Sequence, residues 1–212
     1  MLGFHEDMDE FQFESARYVR PDEFVRWLDR RPSSDINRYE LLNGRVVMTP
    51  PPGYPHGEIG SALQFMLSSF VRPRRIGRVF DSSQGFVLPT GDTVEPDHSF
   101  VSDERWAAAG TPVSGEFLSV VPDIVIEVLS RSTRSRDCGE KKGIYERNGV
   151  LEYWLVDSVA CEITVLVLKD GSFGVGRVYR EGERVRSEIL EGLEEDVSAL
   201  VVGAQEGVRS DT

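Results

Sequence analysis

The sequence VPDIVIEVLS, residues 121–130, is the most strand-like segment of the chain. It is rich in β-branched residues and apolar on both faces except at two acids, a pattern typical of a central strand that is covered on both sides. The two-residue period of a strand puts Asp123 and Glu127 on one face and Ile124 and Ile126 on the other. An ionised carboxylate inside a sheet is costly unless it is paired or bound to a metal. We therefore expect a cationic partner beside Glu127.

Helical and strand patterns are interspersed around this segment. Apolar spacing predicts helices over residues 21–29, 56–71 and 134–148, the last of which ends at a glycine. Asn43 and Gly44 supply the two positive φ values of a type I′ turn, which predicts a hairpin between RYELL and RVVM. Residues 50–55, PPPGYP, form a stiff loop, and residues 106–112 form a loop or a short helix. Further strands are predicted over residues 85–88, 93–101, 153–156, 162–168 and 173–179. The order of these elements predicts an α/β fold with a β-meander.

Charge is distributed unevenly along the 212 residues. The chain has 36 acids and 24 lysines and arginines, a net charge of −12. Residues 1–14 contribute −5 and residues 181–212 contribute −6, so the middle carries only −1. We expect a single domain over residues 15–201, with a flexible acidic N-terminus over 1–14 and a flexible tail over 202–212. Basic residues concentrate over 72–78 and 131–147, and these segments form either solvated faces or a basic lip around a site for an anionic substrate.

Several protein classes are disfavoured by the composition. The sequence has no run of about 18 apolar residues that would span a membrane. Its acidic start, MLGFHEDMDE, is unlike a secretory signal, so we expect a cytoplasmic protein that does not bind membranes. The two cysteines and three histidines lack the spacing of a disulfide framework or of a zinc site.

Asp97, in the predicted strand 93–101, is a second candidate ligand for a metal. Two carboxylates from neighbouring strands suit Mg²⁺, which takes few carboxylates and completes its shell with water or phosphate. Lys141 and Lys142 lie on the helix after Glu127, where a lysine would position or activate water and stabilise charge on phosphorus. Spacing alone also allows structural roles: Asp97 as a turn or capping acid, Glu127 as the partner of a core arginine, and Lys141 as a solvated helix residue.

These residues resemble the motif of the PD-(D/E)xK nuclease superfamily, and the whole chain resembles its compact bacterial branch, the Uma-two-type family of restriction-endonuclease-like proteins. Six segments carry the resemblance, in family order between about residues 21 and 200: RYELLNGRVV, the Pro-rich loop ending at His56, VEPDHSFVS, PDIVIEVLS, KKGIYERNGV and LEYWLVD. The resemblance implies a restriction-endonuclease-like fold, in which a mixed central sheet is flanked by helices and the site lies near the ends of two strands.

The resemblance also implies roles for individual residues. Asp97 is similar to the Asp of the PD motif and Glu127 to the acid of the second strand, which together hold Mg²⁺, with Mn²⁺ as a substitute. The lysine of the superfamily normally follows that acid by two residues, but Leu129 stands there. In this branch the lysine lies on the next helix, four residues before a tyrosine, and this spacing selects Lys141 over Lys142.

Two further site residues follow from the resemblance. Glu40 is similar to an additional active-site acid of the family, and His56 to a frequent companion from the Pro-rich loop. Their structural alternatives are a surface acid of the hairpin and a residue at the start of a helix. Arg131 departs from the family pattern, which has a proline after VLS.

The function implied by the resemblance is Mg²⁺-dependent hydrolysis of phosphodiester bonds in DNA. Two alternatives stay open: a catalytically silent binding or regulatory module on the nuclease fold, and a metal-dependent hydrolase of a small phosphate compound. The net negative charge favours both alternatives over DNA binding. Cleavage of both DNA strands by subunits with one site each would favour a homodimer.

Overall fold

The computed structural model describes residues 4–6, 13–15 and 17–201, in which fourteen strands and six helices are found. The strands are β1 Phe4–Glu6, β2 Phe13–Ser15, β3 Arg38–Leu42, β4 Arg45–Thr49, β5 Gly77–Asp81, β6 Phe86–Val87, β7 Thr93–Val94, β8 His98–Ser102, β9 Ile124–Leu129, β10 Glu152–Asp157, β11 Glu162–Val167, β12 Arg177–Arg180, β13 Arg184–Arg186 and β14 Glu194–Asp196. The helices are α1 Pro21–Leu28, α2 His56–Arg74, α3 Asp103–Ala108, α4 Arg134–Arg136, α5 Lys142–Arg147 and α6 Val197–Leu200.

One six-stranded sheet contains the predicted hairpin. Its strand order is β1-β2-β4-β3-β7-β6, and the pairs are antiparallel. Asn43 and Gly44 form the β3–β4 turn with φ angles of 48° and 76°, as the Asn-Gly pattern predicts. This hairpin places the buried side chain of Glu40 at the edge of the candidate site.

The second six-stranded sheet has the order β12-β11-β10-β9-β8-β5. It is mixed, because β9 and β10 are parallel whereas the other neighbours are antiparallel. Every residue of β9 is buried, which confirms that this segment is a central strand. Ile124 and Ile126 pack against apolar residues of α2 such as Leu63, while Val125 belongs to the cluster on the opposite face. The predicted alternation of faces, and the mixed α/β fold flanked by helices, are confirmed.

The predicted strand over residues 93–101 is wrong in one respect, because the chain forms two strands there. β7 pairs with β6 in the first sheet, whereas β8 pairs with β5 and β9 in the second. The break contains Pro96, which lacks the N–H that a continuous ladder would need. Glu95 and Asp97 therefore lie in the passage between the sheets rather than inside a strand.

The predicted helix over residues 134–148 is helical but not uniform. A π-helical turn, Asp137–Lys141, joins α4 to α5. A π turn inserts one residue into the helix and shifts the direction of the side chains that follow, and such turns often occur at functional sites. Lys141 ends this turn and is buried, and Gly149 ends the helical segment with a φ of 79°.

The chain ends are only partly described. Residues 4–6 and 13–15 form β1 and β2, and all of these except residue 15 belong to the predicted acidic segment over 1–14. Residues 1–3 and 7–12 and the predicted tail over 202–212 lie outside the described residues. Flexibility of both ends stays a prediction. The predicted strand over 173–179 begins only at Arg177, after Gly174 and Gly176 with positive φ angles. Within the described residues, no helix has the length and apolarity needed to cross a membrane.

Candidate active site

The two large sheets meet at a cavity of about 630 Å³. Its wall includes residues from β3, from the passage between β7 and β8, from β9 and from the helical segment that follows β9. The structure brings together in this cavity all five site residues predicted from the sequence: Glu40, His56, Asp97, Glu127 and Lys141. Their convergence from distant parts of the chain makes this cavity the candidate active site.

Asp97 and Glu127 lie side by side at the ends of neighbouring strands. The antiparallel β8–β9 ladder ends at the pair His98–Ile126, so Asp97 and Glu127 both follow the same end of this ladder. The two carboxyl groups lie close enough to interact, because the charge of Asp97 contributes to the raised pKa of Glu127. In addition, the backbone N–H of Val128 donates to Asp97 Oδ2 over 2.9 Å. The fold of β9 therefore positions both carboxylates.

Lys141 lies between two carboxylates. Its Nζ is 2.5 Å from Glu127 Oε1 and 2.9 Å from Glu40 Oε1, and all three side chains are buried. The hydroxyl of Tyr145 donates to the same oxygen of Glu127 over 2.8 Å. Lys141 is the cation that the buried Glu127 requires, and the one-turn spacing from Lys141 to Tyr145 directs both at one acid.

Asp97 has two basic neighbours of its own. Arg38 Nη1 donates to Asp97 Oδ1 over 2.9 Å, and His56 Nε2 lies 3.0 Å from Asp97 Oδ2. Sequence reasoning missed Arg38. A usable signal existed, because Arg38 stands two residues before Glu40 in the same predicted strand and so shares its face. His56 begins α2 as predicted, and the Pro-rich loop before it delivers its ring to the cavity.

Negative charge lies at the bottom of the cavity and positive charge nearer its mouth. Five lining acids are buried, against one buried lysine: Glu40, Asp97, Glu127, Asp137 and Asp157 against Lys141. The lining arginines are half-buried (Arg38 and Arg136) or exposed (Arg131 and Arg134). A deep cation and a phosphate that enters from the mouth would both be favoured by this arrangement.

The pKa values of the site follow from burial and these pairings. Burial alone would raise the pKa of Asp97, but His56 and Arg38 outweigh it and hold the pKa below its usual range. Burial raises the pKa of Glu127, the carboxylates around it add to the rise, and Lys141 opposes it. Burial would lower the pKa of Lys141, but Glu127 and Glu40 outweigh it and keep the ammonium charged. Burial and the nearby charge of Glu40 raise the pKa of Glu95 to about 7.

Comparison with known families decides what kind of protein carries this site. Residues 15–200 match the Uma2 family, which is described as "Putative restriction endonuclease". The chain belongs to the Uma2 family. A crystal structure from Anabaena variabilis, described as "a putative nuclease belonging to DUF820", is similar with a TM-score of 0.72 and 21% sequence identity over 88% of this chain and 99% of that chain. At that identity the similarity shows the fold alone. A comparison with curated proteins finds no match.

The Uma2 match spans every residue that lines the cavity, but not every polar residue of the neighbouring elements belongs to the site. Asp123 is paired with Arg105, at 3.1 Å, and is not among the lining residues. His98 contacts Gln64 on the far side of the strand from Asp97. Lys142 donates to the carbonyl of Gly174 at the surface, which agrees with the choice of Lys141.

The two basic segments differ in their relation to the cavity. From the segment over residues 131–147, only four basic residues line it: Arg131, Arg134, Arg136 and Lys141. The arginines over residues 72–78 are not among the lining residues and correspond to the solvated-face alternative. The basic lip is therefore confined to the loop and helix that follow β9.

The donor set of this Uma2 protein fits a hard divalent cation. Asp97 and Glu127 offer carboxylate oxygens on one face of the sheet, and the buried acids around them outnumber the buried lysine. Within the described residues, no group of three or more His, Cys, Asp or Glu side chains is arranged to hold a metal ion, so the candidate ligands are the pair Asp97 and Glu127. Mg²⁺ commonly binds through one or two carboxylates and takes water and phosphate oxygens for the rest. Two carboxylates suffice for such a site.

Proposed function

We propose that this protein is a Mg²⁺-dependent endonuclease that hydrolyses phosphodiester bonds of DNA. Membership of the Uma2 family supports nuclease function in general. The observation that carries the finer proposal is the convergence of Asp97, Glu127 and Lys141 on one cavity, from three separate segments of the chain. Acid, acid and lysine are the groups that metal-assisted phosphodiester hydrolysis needs.

In this proposal Asp97 and Glu127 hold Mg²⁺, or Mn²⁺ in its place. When bound, the ion supplies positive charge that polarises a phosphoryl oxygen. Arg38 and His56 fix the orientation of the Asp97 carboxylate, because each contacts one of its two oxygens. The Val128 N–H adds a third fixed contact. A carboxylate held in this way needs little reorganisation to bind a cation.

Lys141 acts through its positive charge rather than as a base. The ammonium is held by Glu127 and Glu40, which keep its pKa above the usual lysine value, so it does not release a proton near neutral pH. A fixed ammonium orients the attacking water through a hydrogen bond and stabilises the charge that grows on the phosphoryl oxygens. Glu40 positions Lys141 for this role.

Calorimetry with Mg²⁺ and Mn²⁺, run beside cleavage of plasmid and single-stranded DNA, tests the proposal. Wild type is expected to bind the ion and cut DNA, and Asp97→Ala to do neither. Asp123→Asn is the matched control, because Asp123 is a buried acid outside the cavity lining, and per folded molecule it should bind and cut as wild type does. Metal binding without cleavage of any DNA contradicts the nuclease proposal. If wild type does not bind metal, a silent module on this fold takes its place.

A hydrolase of a small phosphate compound is the second candidate. It is favoured by the net charge of −12 and by a cavity of about 630 Å³, a size typical of small-molecule sites. Salt separates the two candidates. The log of DNA affinity falls by about 0.7 to 0.9 per log of salt for each neutralised phosphate, whereas the affinity for a small phosphate ester changes little. Homodimerisation stays a prediction.

A further inference from the structure

Two exposed apolar side chains belong to the lining of the cavity whose bottom holds the buried carboxylates. Tyr54 is 65% exposed and Val159 is 90% exposed, and both line the cavity. Tyr54 lies in the Pro-rich loop before α2, and Val159 lies in the turn between β10 and β11. Single exposed apolar residues are ordinary on protein surfaces, and Phe65 is one on α2. Tyr54 and Val159 differ from it because they share one cavity.

The loop that carries Tyr54 restricts where its ring can go. Residues 50–55, PPPGYP, contain four prolines, whose rings fix the φ angle and reduce the conformations open to the backbone. An aromatic ring on a stiff loop loses little entropy when it packs against a ligand. Such a ring is suited to stack on a planar group at the cavity mouth.

Positive charge accompanies these side chains. Arg131 is exposed, lines the cavity and forms no ion pair with any other residue in the described part of the chain. Arg134 also lines the cavity, but it is held by Asp157 at 2.5 Å. An exposed arginine without an ion pair, lining the same cavity as an exposed aromatic ring, matches the two parts of a nucleotide: a phosphate and a base.

The depth of the reacting groups limits which DNA can reach them. Asp97, Lys141 and Glu127 are only 2%, 3% and 4% exposed, so the phosphate to be cut must enter the cavity. A duplex keeps its bases stacked inside and cannot feed one nucleotide into a cavity without unpairing it. A single strand can do so, since its bases are free to turn outward and stack on protein rings.

We propose that the cavity takes one unpaired nucleotide of single-stranded DNA, with its base stacked on Tyr54 beside Val159 and a flanking phosphate bound by Arg131. This inference rests on the proposed function and narrows its substrate class. It places specificity in the mouth of the cavity, in residues other than the two acids proposed to hold the metal. It also accounts for DNA binding by an acidic chain, because one or two phosphates at the mouth require few cations.

Fluorescence anisotropy of labelled DNA tests the inference without any cleavage. The probe is a fluorescein-labelled oligonucleotide with no self-complementarity, measured as a single strand and after annealing to its complement, in EDTA and in Ca²⁺. The single strand is expected to bind at least tenfold more tightly than the duplex. Tyr54→Ala should weaken single-strand binding at least about fivefold, whereas Tyr54→Phe should retain it, because the ring supplies the stacking. Phe65→Ala, which removes an exposed ring outside the cavity lining, should have no effect.

Arg131→Ala tests the phosphate contact separately, through the salt dependence of binding, which does not depend on stacking of the base. It should lower the slope of log affinity against log salt by about 0.7 for the single strand. Equal or tighter binding of duplex, no binding of either form, or full binding by Tyr54→Ala would overturn the inference. Duplex cleavage that Tyr54→Ala leaves unchanged would overturn it while leaving the nuclease proposal intact. Tyr54-dependent binding of single strands without cleavage by wild type would support it and refute the nuclease proposal instead.

Discussion

Glu127 and Glu152 are buried acids on adjacent parallel strands, and their surroundings differ completely. Glu127 lies towards the end of β9, lines the cavity and is held by a charged group, Lys141. Glu152 begins β10, does not line the cavity and accepts hydrogen bonds from neutral donors. Those donors are Trp154 Nε1 at 2.6 Å and the backbone N–H of Glu188 at 2.7 Å. Burial raises the pKa of both carboxyl groups.

This comparison shows that a buried acid in a strand does not by itself mark a functional site. The hydrogen bonds of Glu152 connect the segment after β13 to the first residue of β10, so this acid has a structural role. Glu127 instead lies in a cavity together with other buried acids and with a buried lysine, whereas Glu152 is satisfied by neutral donors alone. Concentration of like charge in a solvent-connected cavity costs stability, and proteins tolerate such costs at functional sites.

The largest expected effect is on stability, from removal of the cation that compensates Glu127. Lys141→Met removes the ammonium that directly contacts the buried carboxylates of Glu40 and Glu127, which should cost about 3–5 kcal/mol of unfolding free energy. Urea denaturation measures this loss. Lys142→Met is the control, because the Lys142 side chain contacts only a surface carbonyl and should change stability by less than about 0.5 kcal/mol. Equal stability of the two variants would mean that Lys141 does not compensate the buried acids.

The next largest effect separates Glu127 from Glu152: substitution of Glu127 should reduce activity, whereas substitution of Glu152 should reduce stability. Glu127→Gln should lower kcat/KM for DNA by about 100-fold to 1000-fold while the protein stays folded, because a charge that serves the reaction is lost. Glu152→Gln should keep the activity of each folded molecule. It should cost about 1–3 kcal/mol of stability, because an amide N–H would face donors that need an acceptor.

Glu188→Gln is the control for loss of a negative charge near the start of β10. The exposed side chain of Glu188 pairs with exposed Lys169, and the substitution leaves the backbone N–H of residue 188 unchanged. Its activity and stability should both match wild type. The distinction between a functional Glu127 and a structural Glu152 would be wrong if fully folded Glu152→Gln lost activity. It would also be wrong if Glu127→Gln kept full activity.

The sequence was sufficient to predict the burial of Glu127 and the local structure around it. The alternation in VPDIVIEVLS set Glu127 inside a covered sheet, which is a local consequence of strand periodicity. The choice of Lys141 over Lys142 came from the family resemblance, in which the lysine stands four residues before a tyrosine. The hairpin at Asn43 and Gly44 was equally predictable, since two positive φ values are a property of those residues.

The partners of the buried acids, and the passage of the chain from one sheet to the other, depended on tertiary contacts that no local pattern specifies. Pro96 interrupts a strand pattern, but only the packing of two sheets shows that the chain changes sheet there. Arg38 reaches Asp97 across 59 residues of sequence, and one of the donors to Glu152, the backbone N–H of Glu188, comes from a segment for which no strand was predicted. Secondary structure was therefore more predictable than the partners of each buried charge.

The smallest effect concerns Asp35, an acid whose partners favour the ionised form. Arg31 and the hydroxyl of Tyr39 both donate to its Oδ2, and the backbone N–H of Asn37 donates to Oδ1. Burial opposes ionisation here, but these donors outweigh it and lower the pKa of Asp35 to about 2. An aspartate in an unfolded chain has a pKa of about 3.9. Because the folded value is the lower one, ionised Asp35 stabilises the protein above about pH 4.

That contribution is lost as the pH falls from about 4 towards 2, since the unfolded chain then takes up the proton first. Glu127 and Glu152 cannot produce this loss, because burial raises their pKa values instead of lowering them. Denaturation midpoints of wild type and Asp35→Asn, compared at pH 6, 4 and 3, isolate the contribution of Asp35. The gap between the two proteins should be widest at pH 6 and should narrow at pH 3. A gap independent of pH would show that Asp35 acts through its hydrogen-bond geometry and not through its charge.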